Sequence, residues 1–259
     1  MTRDLVRAEG LDTTAFLQGQ LSQDVERLNV GESAWSFLLQ PQGKVDAWFR
    51  VLRTGDDRYE LDVDEGWGEA VVARLERFKL RTRCELTLER SVPVLAVRGA
   101  HVDGGRRTGW PDLDGSDLFG DAPTPADAQE LDREGYEVLR IDHGVPAMGA
   151  ELTEDTIPAE AGQWVVDASV SFTKGCFTGQ ELVARIDSRG GNVPRHLRIL
   201  DTDGPAPAPG TELELDGAVV GRVTSSAGSI ALAYVKRSVT PPAVVTAAGG
   251  GPAGTLRSA

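Results

Sequence analysis

The run S-F-T-K-G-C-F-T-G-Q-E-L-V-A-R, Ser171 to Arg185, sets one of the two cysteines of a 259-residue chain between two glycines and beside a lysine. Val170 to Phe172 reads as the end of a strand and Gln180 to Ile186 as a helix. Thr178 and Glu181 stand in the T-x-x-E relation of a capping box, which places the helix start near Gly179. Gly175 and Gly179 allow a sharp turn or close approach of a ligand to the backbone. Cys176 then lies just ahead of a helix N-terminus, two residues after Lys174. The helix dipole and the ammonium both favour a thiolate there, and the same arrangement suits a bound anion. From these residues alone, Cys176 is either a working thiol or a small packed side chain.

Working outward, composition narrows the classes. Hydrophobic residues make up 40% and charged residues 26% of the chain, as in ordinary globular proteins. No apolar run is long enough to span a membrane and the start lacks a secretory pattern, so a cytoplasmic protein is expected. Cys84 and Cys176 with His101, His143 and His196 give neither a disulfide framework nor zinc spacing, and no metal is expected. A net charge of −13 argues against nucleic acid or anionic membranes as partners. The one basic stretch is 174–198, with Lys174, Arg185, Arg189, Arg195 and Arg198.

Leu17, Leu21, Val25 and Leu28 recur at helical spacing after Asp12–Thr14. Gly19 costs that helix about 1 kcal/mol relative to alanine, which points to tight packing or a nearby ligand. Strands are expected at 33–39, 45–51, 59–63, 84–88 and 92–97, and a helix at 66–80. Cys84 falls on the core face of its strand. Residues 99–130 read as a polar surface excursion with at most short elements, such as 126–131. Tyr136 to Ile141 reads as a strand with Asp142 at its end. Four short strands (195–200, 211–215, 219–224 and 229–235) separated by Pro and Gly predict a small C-terminal β-barrel or sandwich, and 249–254 reads as a frayed turn. Without regular βαβ alternation the class is α+β.

K-G-C-F-T-G-Q-E, residues 174–181, resembles the signature K-G-C-[FY]-x-G-Q-E of the YgfZ family of folate-binding proteins. These are relatives of the aminomethyltransferase (T-protein) of the glycine cleavage system. F-L-Q-G-Q-L-S-Q-D-V near the start, Pro41-Gln-Gly-Lys-Val, L-R-I-D-H-G-V-P and Ile157-Pro-Ala-Glu are similar to further family segments in the same order. The resemblance implies a three-lobed T-protein-like fold around a central folate channel. Residues 1–194 would form two interleaved α+β lobes and 195–259 a C-terminal β-barrel.

It also implies a role in maturation or repair of iron–sulfur proteins, including radical enzymes that modify tRNA, with tetrahydrofolate or another reduced folate as ligand. Partners would be iron–sulfur assembly proteins or client enzymes, and the chain would act as a monomer without turnover of its own. On this view Cys176 is the functional thiol and Lys174 tunes it. Phe177 completes the loop between Gly175 and Gly179, and Gln180 and Glu181 fix that loop by capping. Asp142, in the place of a usual glutamate, and Tyr136, six positions earlier, would flank the pterin, with Arg185 serving the folate as well. The alternative is a folate-dependent aminomethyltransferase, which the cysteine and the short chain disfavour, because T-proteins are longer and lack that thiol.

Overall fold

The computed structural model describes residues 1–251 and 253–259; of the 249–254 turn, Pro252 lies outside the described residues. The first element is a strand, β1 (Thr2–Glu9), followed by α1 (Thr13–Gln20), β2 (Ser33–Leu39), β3 (Val45–Gly55), β4 (Arg58–Asp64), α2 (Gly68–Phe78) and β5 (Glu85–Arg98). A hairpin of β6 (Arg106–Arg107) and β7 (Gly115–Phe119) comes next, then helices α3 (Arg133–Asp142), α4 (Gln163–Ser169) and α5 (Gln180–Asp187). Six strands complete the chain: β8 (Arg195–Thr202), β9 (Glu212–Leu215), β10 (Ala218–Ala227), β11 (Ile230–Lys236), β12 (Ala243–Ala247) and β13 (Ala253–Ser258).

β1 to β7 form one sheet in the order β2-β3-β4-β1-β5-β7-β6, and β8 to β13 a closed barrel, β10-β11-β8-β13-β12-β9. The α+β class and the C-terminal barrel are therefore as expected. Val71 and Leu75, one turn apart on α2, bury against the sheet, while α4 covers β2. Cys84 is buried in this core, as its strand alternation predicted, and burial pushes its thiol above the ordinary value.

Closure of the barrel sorts its side chains by strand parity. Leu200, Ala231, Ala233, Val235, Val245 and Leu256 fill the lumen. Leu197, Ile199, Ile230, Leu232 and Tyr234 face outward and pack with Ile141 of α3. The barrel is thus fastened to the rest through α3.

Several expectations change. The helix expected through Leu28 stops at Gln20: Leu21 is extended and only a single 3-10 turn follows, Val25–Arg27. The strand expected at Tyr136–Ile141 is helix α3, and Val170–Phe172 follows α4 without forming a strand. Residues 99–130 are more than a surface excursion, because β7 pairs with β5 and extends the sheet, carrying buried Ser116 and Asp117. The stretch 126–131 forms no helix or strand.

Candidate functional site

The end of α1 determines where the K-G-C-F segment sits. A helix leaves its last carbonyls without intrahelical donors. Here the carbonyls of Gln18, Leu21 and Gln23 converge on the Lys174 ammonium at 2.7, 2.8 and 2.8 Å. Lys174 is buried and lies over the Phe177 ring at 5.3 Å. Burial pulls its pKa down to about 8, against the opposing pull of Asp24 and Glu26. The expected thiol-tuning role of Lys174 is therefore replaced by another: its charge is directed inward, at the Gln18 carbonyl in the last turn of α1 and at those of Leu21 and Gln23 in the segment just after it.

Two backbone contacts run beside this clamp. Ser171 N–H donates to Ser22 O at 3.0 Å, and Thr178 N–H donates to Gly19 O at 3.1 Å. The second contact uses the backbone of Thr178, and α5 begins after Gly179 with no side-chain cap. The expected capping box is absent, and Gln180 and Glu181 do not fix the loop by capping. Gly179 itself adopts φ +81°, and a Cβ there would lie 2.5 Å from Gln40 O. At Gly43 of the Pro41–Lys44 turn, a Cβ would meet the Leu182 Cβ at 2.6 Å. Two glycines thus let the turn press against the start of α5. Gly19 and Gly175 have open space where a side chain would be, so tight packing does not account for the glycine in α1.

Within this frame Phe177 is buried, Cys176 exposed, and Glu181 and Arg185 are exposed on α5. His143 Nδ1 is engaged with Pro111 O at 2.8 Å and His101 Nδ1 with Ser116 Oγ at 2.7 Å. Among the described residues no histidine is hydrogen-bonded to Cys176.

Lys174→Met should lower stability by about 1–3 kcal/mol, because the carbonyls of Gln18, Leu21 and Gln23 are left without their shared donor. The sign of its pH dependence follows from the depressed pKa. Between about pH 8 in the fold and 10.5 in the open chain, the unfolded state binds the extra proton, so this group makes stability rise with pH. Denaturant titrations from pH 7 to 10.5 should show that positive contribution in the wild type and lose it in the variant. Equal slopes would discard the assignment.

The second expected cluster is not assembled as foreseen. On a strand, residues six apart share a face; on α3 the same spacing turns the side chain through about 240°. The Tyr136 ring lies 5.9 Å from that of Trp110, with the Arg98 guanidinium 4.4 Å from Trp110 and 5.5 Å from Tyr136. Asp142 points elsewhere and pairs with Arg257 of β13. Tyr136 and Asp142 therefore do not flank one ligand.

Tyr136 instead borders a buried ionic network. Asp62 meets Arg3, Arg50 and Arg106, each at 2.9 Å, and Asp117 meets Arg50 at 2.8 Å and Arg98 at 2.7 Å. Burial drives the Tyr136 phenol above its ordinary value, more than Arg98 lowers it. The Arg98 Nε is buried without a partner.

Residues 195–238 match the family described as "CAF17, C-terminal beta-barrel domain". The "tRNA-modifying protein YgfZ" of Sodalis glossinidius is 26% identical over 82% of this chain and 73% of its own length. The "Iron-sulfur cluster assembly factor IBA57 homolog, mitochondrial" of Phaeosphaeria nodorum is 27% identical over 89% of this chain and 68% of its own. The chain is thus similar to YgfZ and IBA57 proteins over most of its length, and to the CAF17 barrel family over residues 195–238. The crystal structure of glycine cleavage system aminomethyltransferase T from Bartonella henselae superposes with a TM-score of 0.77 over 99% of this chain and 83% of its own, at 19% identity. That likeness establishes a shared fold.

The sequence reading passed over Arg98, Trp110 and Asp117. A tryptophan inside a stretch rich in Gly, Asp and Pro was the available signal, since a large aromatic there needs something to pack against. Among the described residues no group of three or more His, Cys, Asp or Glu side chains could hold a metal ion. No helix there is long and apolar enough to cross a membrane.

Proposed function

We propose that this chain assists maturation or repair of iron–sulfur proteins, with Cys176 as its working thiol and a reduced folate as ligand. One observation carries the reading: Cys176 is exposed on a segment braced by the Lys174 clamp, the Ser171 and Thr178 backbone bonds and the Gly43–Gly179 contact. A thiol held that way is presented to a partner and spared from packing. Relatives named for iron–sulfur cluster assembly and tRNA modification support the same role.

For the folate, Tyr136 and Trp110 supply aromatic faces, and Arg98 a donor that lacks a partner. That residue set fits a flat heterocycle carrying acceptors. Arg185, exposed and, among the described residues, in no ion pair, is available to the acidic end of the molecule. Asp142 is left out, because its carboxylate faces Arg257.

Deletion of the gene should lower iron–sulfur enzyme activities, wild type should restore them and Cys176→Ala should not. Full restoration by Cys176→Ala would refute the thiol's role. On the isolated protein, Cys176 should be alkylated by iodoacetamide well before buried Cys84; a rate no faster than that of a small free thiol at neutral pH would remove the idea of an activated group. Tetrahydrofolate should quench the tryptophan emission, and Tyr136→Ala should weaken that response several-fold. Unchanged affinity would remove Tyr136 from the folate site.

A further inference from the structure

β5 is longer than the strands on either side of it, and part of one edge is left unpaired. β1 runs along Glu85–Pro93. On the opposite edge β7 pairs only with Val94–Arg98 and leaves at Gly120, whose N–H donates to Pro93 O at 2.9 Å. Among the described residues no backbone hydrogen bond reaches Glu85–Ser91 from that side. Glu85, Thr87, Glu89, Arg90 and Ser91 are exposed. A strand edge with free N–H and C=O groups is a template for another strand.

Alternation sorts the side chains along this edge. Leu86 and Leu88 pack toward the core beneath α2, while Glu85, Thr87 and Glu89 stand on the other face. The edge ends at Ser91, where φ is +53° and the register with β1 shifts. There Arg90 and Ser91 line a cavity of about 210 Å³ together with Asp4, Glu65, Gly66 and Glu69.

Carboxylates outnumber cations around that cavity. Arg90 is already bound to Glu69. Buried Asp4 accepts from the N–H groups of Gly66, Gly68 and Ser91, and exposed Glu65 accepts from the Thr2 hydroxyl at 2.7 Å. Among the described residues Asp4, Glu65 and Glu85 are in no ion pair. Charges on an edge bar strands of like sign and admit those of opposite sign.

We propose that the free edge of β5 is a docking surface for a basic, extended polypeptide segment of a partner protein. The segment adds a strand in line with β7 and turns a lysine or arginine into the carboxylate-lined cavity. Main-chain hydrogen bonds give such pairing its affinity and side-chain pockets its specificity. The added strand lies about 4.8 Å from β5, and Arg90 and Ser91 of that edge already border the cavity, so a long basic side chain beside them reaches it. A net charge of −13 draws a basic segment toward the chain. The surface includes neither Cys176 nor Tyr136 and stands apart from the thiol and folate readings.

The test is hydrogen exchange of the isotopically labelled full chain, read by amide NMR, with the peptide acetyl-Lys-Val-Lys-Val-Lys-Lys-amide added. Exchange should slow at alternate amides of Glu85–Ser91, because one edge of a strand presents every second N–H, and should not change in β2 to β4. The same peptide N-methylated throughout keeps its charge, loses its donors and should bind about tenfold more weakly. A counterpart with glutamate in place of lysine should not bind. Glu85→Lys and, at the cavity, Glu65→Gln should each weaken the lysine peptide several-fold without altering the spectrum of β2 to β4. Unslowed amides, or equal binding of the N-methylated peptide, overturn strand addition. Equal binding of the glutamate peptide, or unchanged affinity in Glu85→Lys, overturns the basic partner, and unchanged affinity in Glu65→Gln overturns the role of the cavity. Slowing that rises with protein concentration in the absence of peptide overturns the assignment in favour of a second copy of the chain.

Discussion

Asp62→Asn should destabilise the chain by about 3–5 kcal/mol, a fall in melting temperature on the order of 10 °C for a protein of this size. Asp62 is fully buried and three guanidinium groups meet its carboxylate at 2.9 Å. Burial alone would push its pKa up, yet Arg50, Arg3 and Arg106 together hold it below the ordinary carboxylate value. The neutral amide keeps the volume but leaves three arginines facing one another, with only Asp64, Asp117 and Glu60 to offset them. Because the folded value is depressed, the stabilisation is fully present above the ordinary value of 3.8 and is lost as pH falls through the folded one. Acid titration of stability should therefore be shallower in Asp62→Asn than in wild type. A loss under about 1 kcal/mol would mean that the network is decoupled, as exposed ion pairs are.

The same network explains why the central strand of the sheet escaped the sequence reading. β1 lies between β4 and β5, a position that ordinarily calls for a plain apolar strand. Its sequence, T-R-D-L-V-R-A-E, interleaves charges instead. Arg3 is buried because Asp62 and Asp64 receive it, and Asp4 because it accepts from the backbone N–H groups of Gly66, Gly68 and Ser91. Partners some 60 residues away are invisible to periodicity. α3 misled for a related reason. In Y-E-V-L-R-I-D, apolar residues fall at both strand and helix spacing, and the Asp132 cap, which accepts from Gly135 N–H at 2.8 Å, lies just upstream of the stretch considered. The barrel was more legible, since Pro- and Gly-rich turns bracket β8 to β11; β12 and β13 are short and small-residue-rich, and closure alone makes them strands.

At the candidate site, the cysteine and its glycines were visible in the sequence and their supports were not. Lys174 was placed beside Cys176 by adjacency, but its partners are carbonyls more than 150 residues away. A side chain as long as lysine is positioned by what the fold brings near its tip, and two residues of sequence distance say little about that.

Glu151→Gln should cost a similar amount, about 3–5 kcal/mol, for the opposite geometric reason: a single anion holds two parts of the chain. One carboxylate oxygen accepts from Thr224 and Ser225 of β10, each at 2.6 Å, and the other from Arg140 of α3 at 3.3 Å and Ala147 N–H at 3.0 Å. Its main-chain carbonyl accepts from the Tyr234 hydroxyl at 3.0 Å. The amide nitrogen of glutamine would turn a donor toward donors on one of those sides. The apolar contact of Ile141 with Leu197, Ile199, Ile230 and Leu232 remains, and each such side chain contributes about 1.5–3 kcal/mol. Together these outweigh the lost polar contacts, so the barrel should stay docked in the variant. All five tryptophans lie before residue 195, so their fluorescence reports the sheet and helices, while far-UV circular dichroism reports the barrel as well. The two unfolding curves of Glu151→Gln should coincide at a lowered midpoint. Separate curves would show that this carboxylate, and not the apolar contact with α3, couples the barrel to the sheet; an unmoved midpoint would show that the polar clamp adds nothing to it.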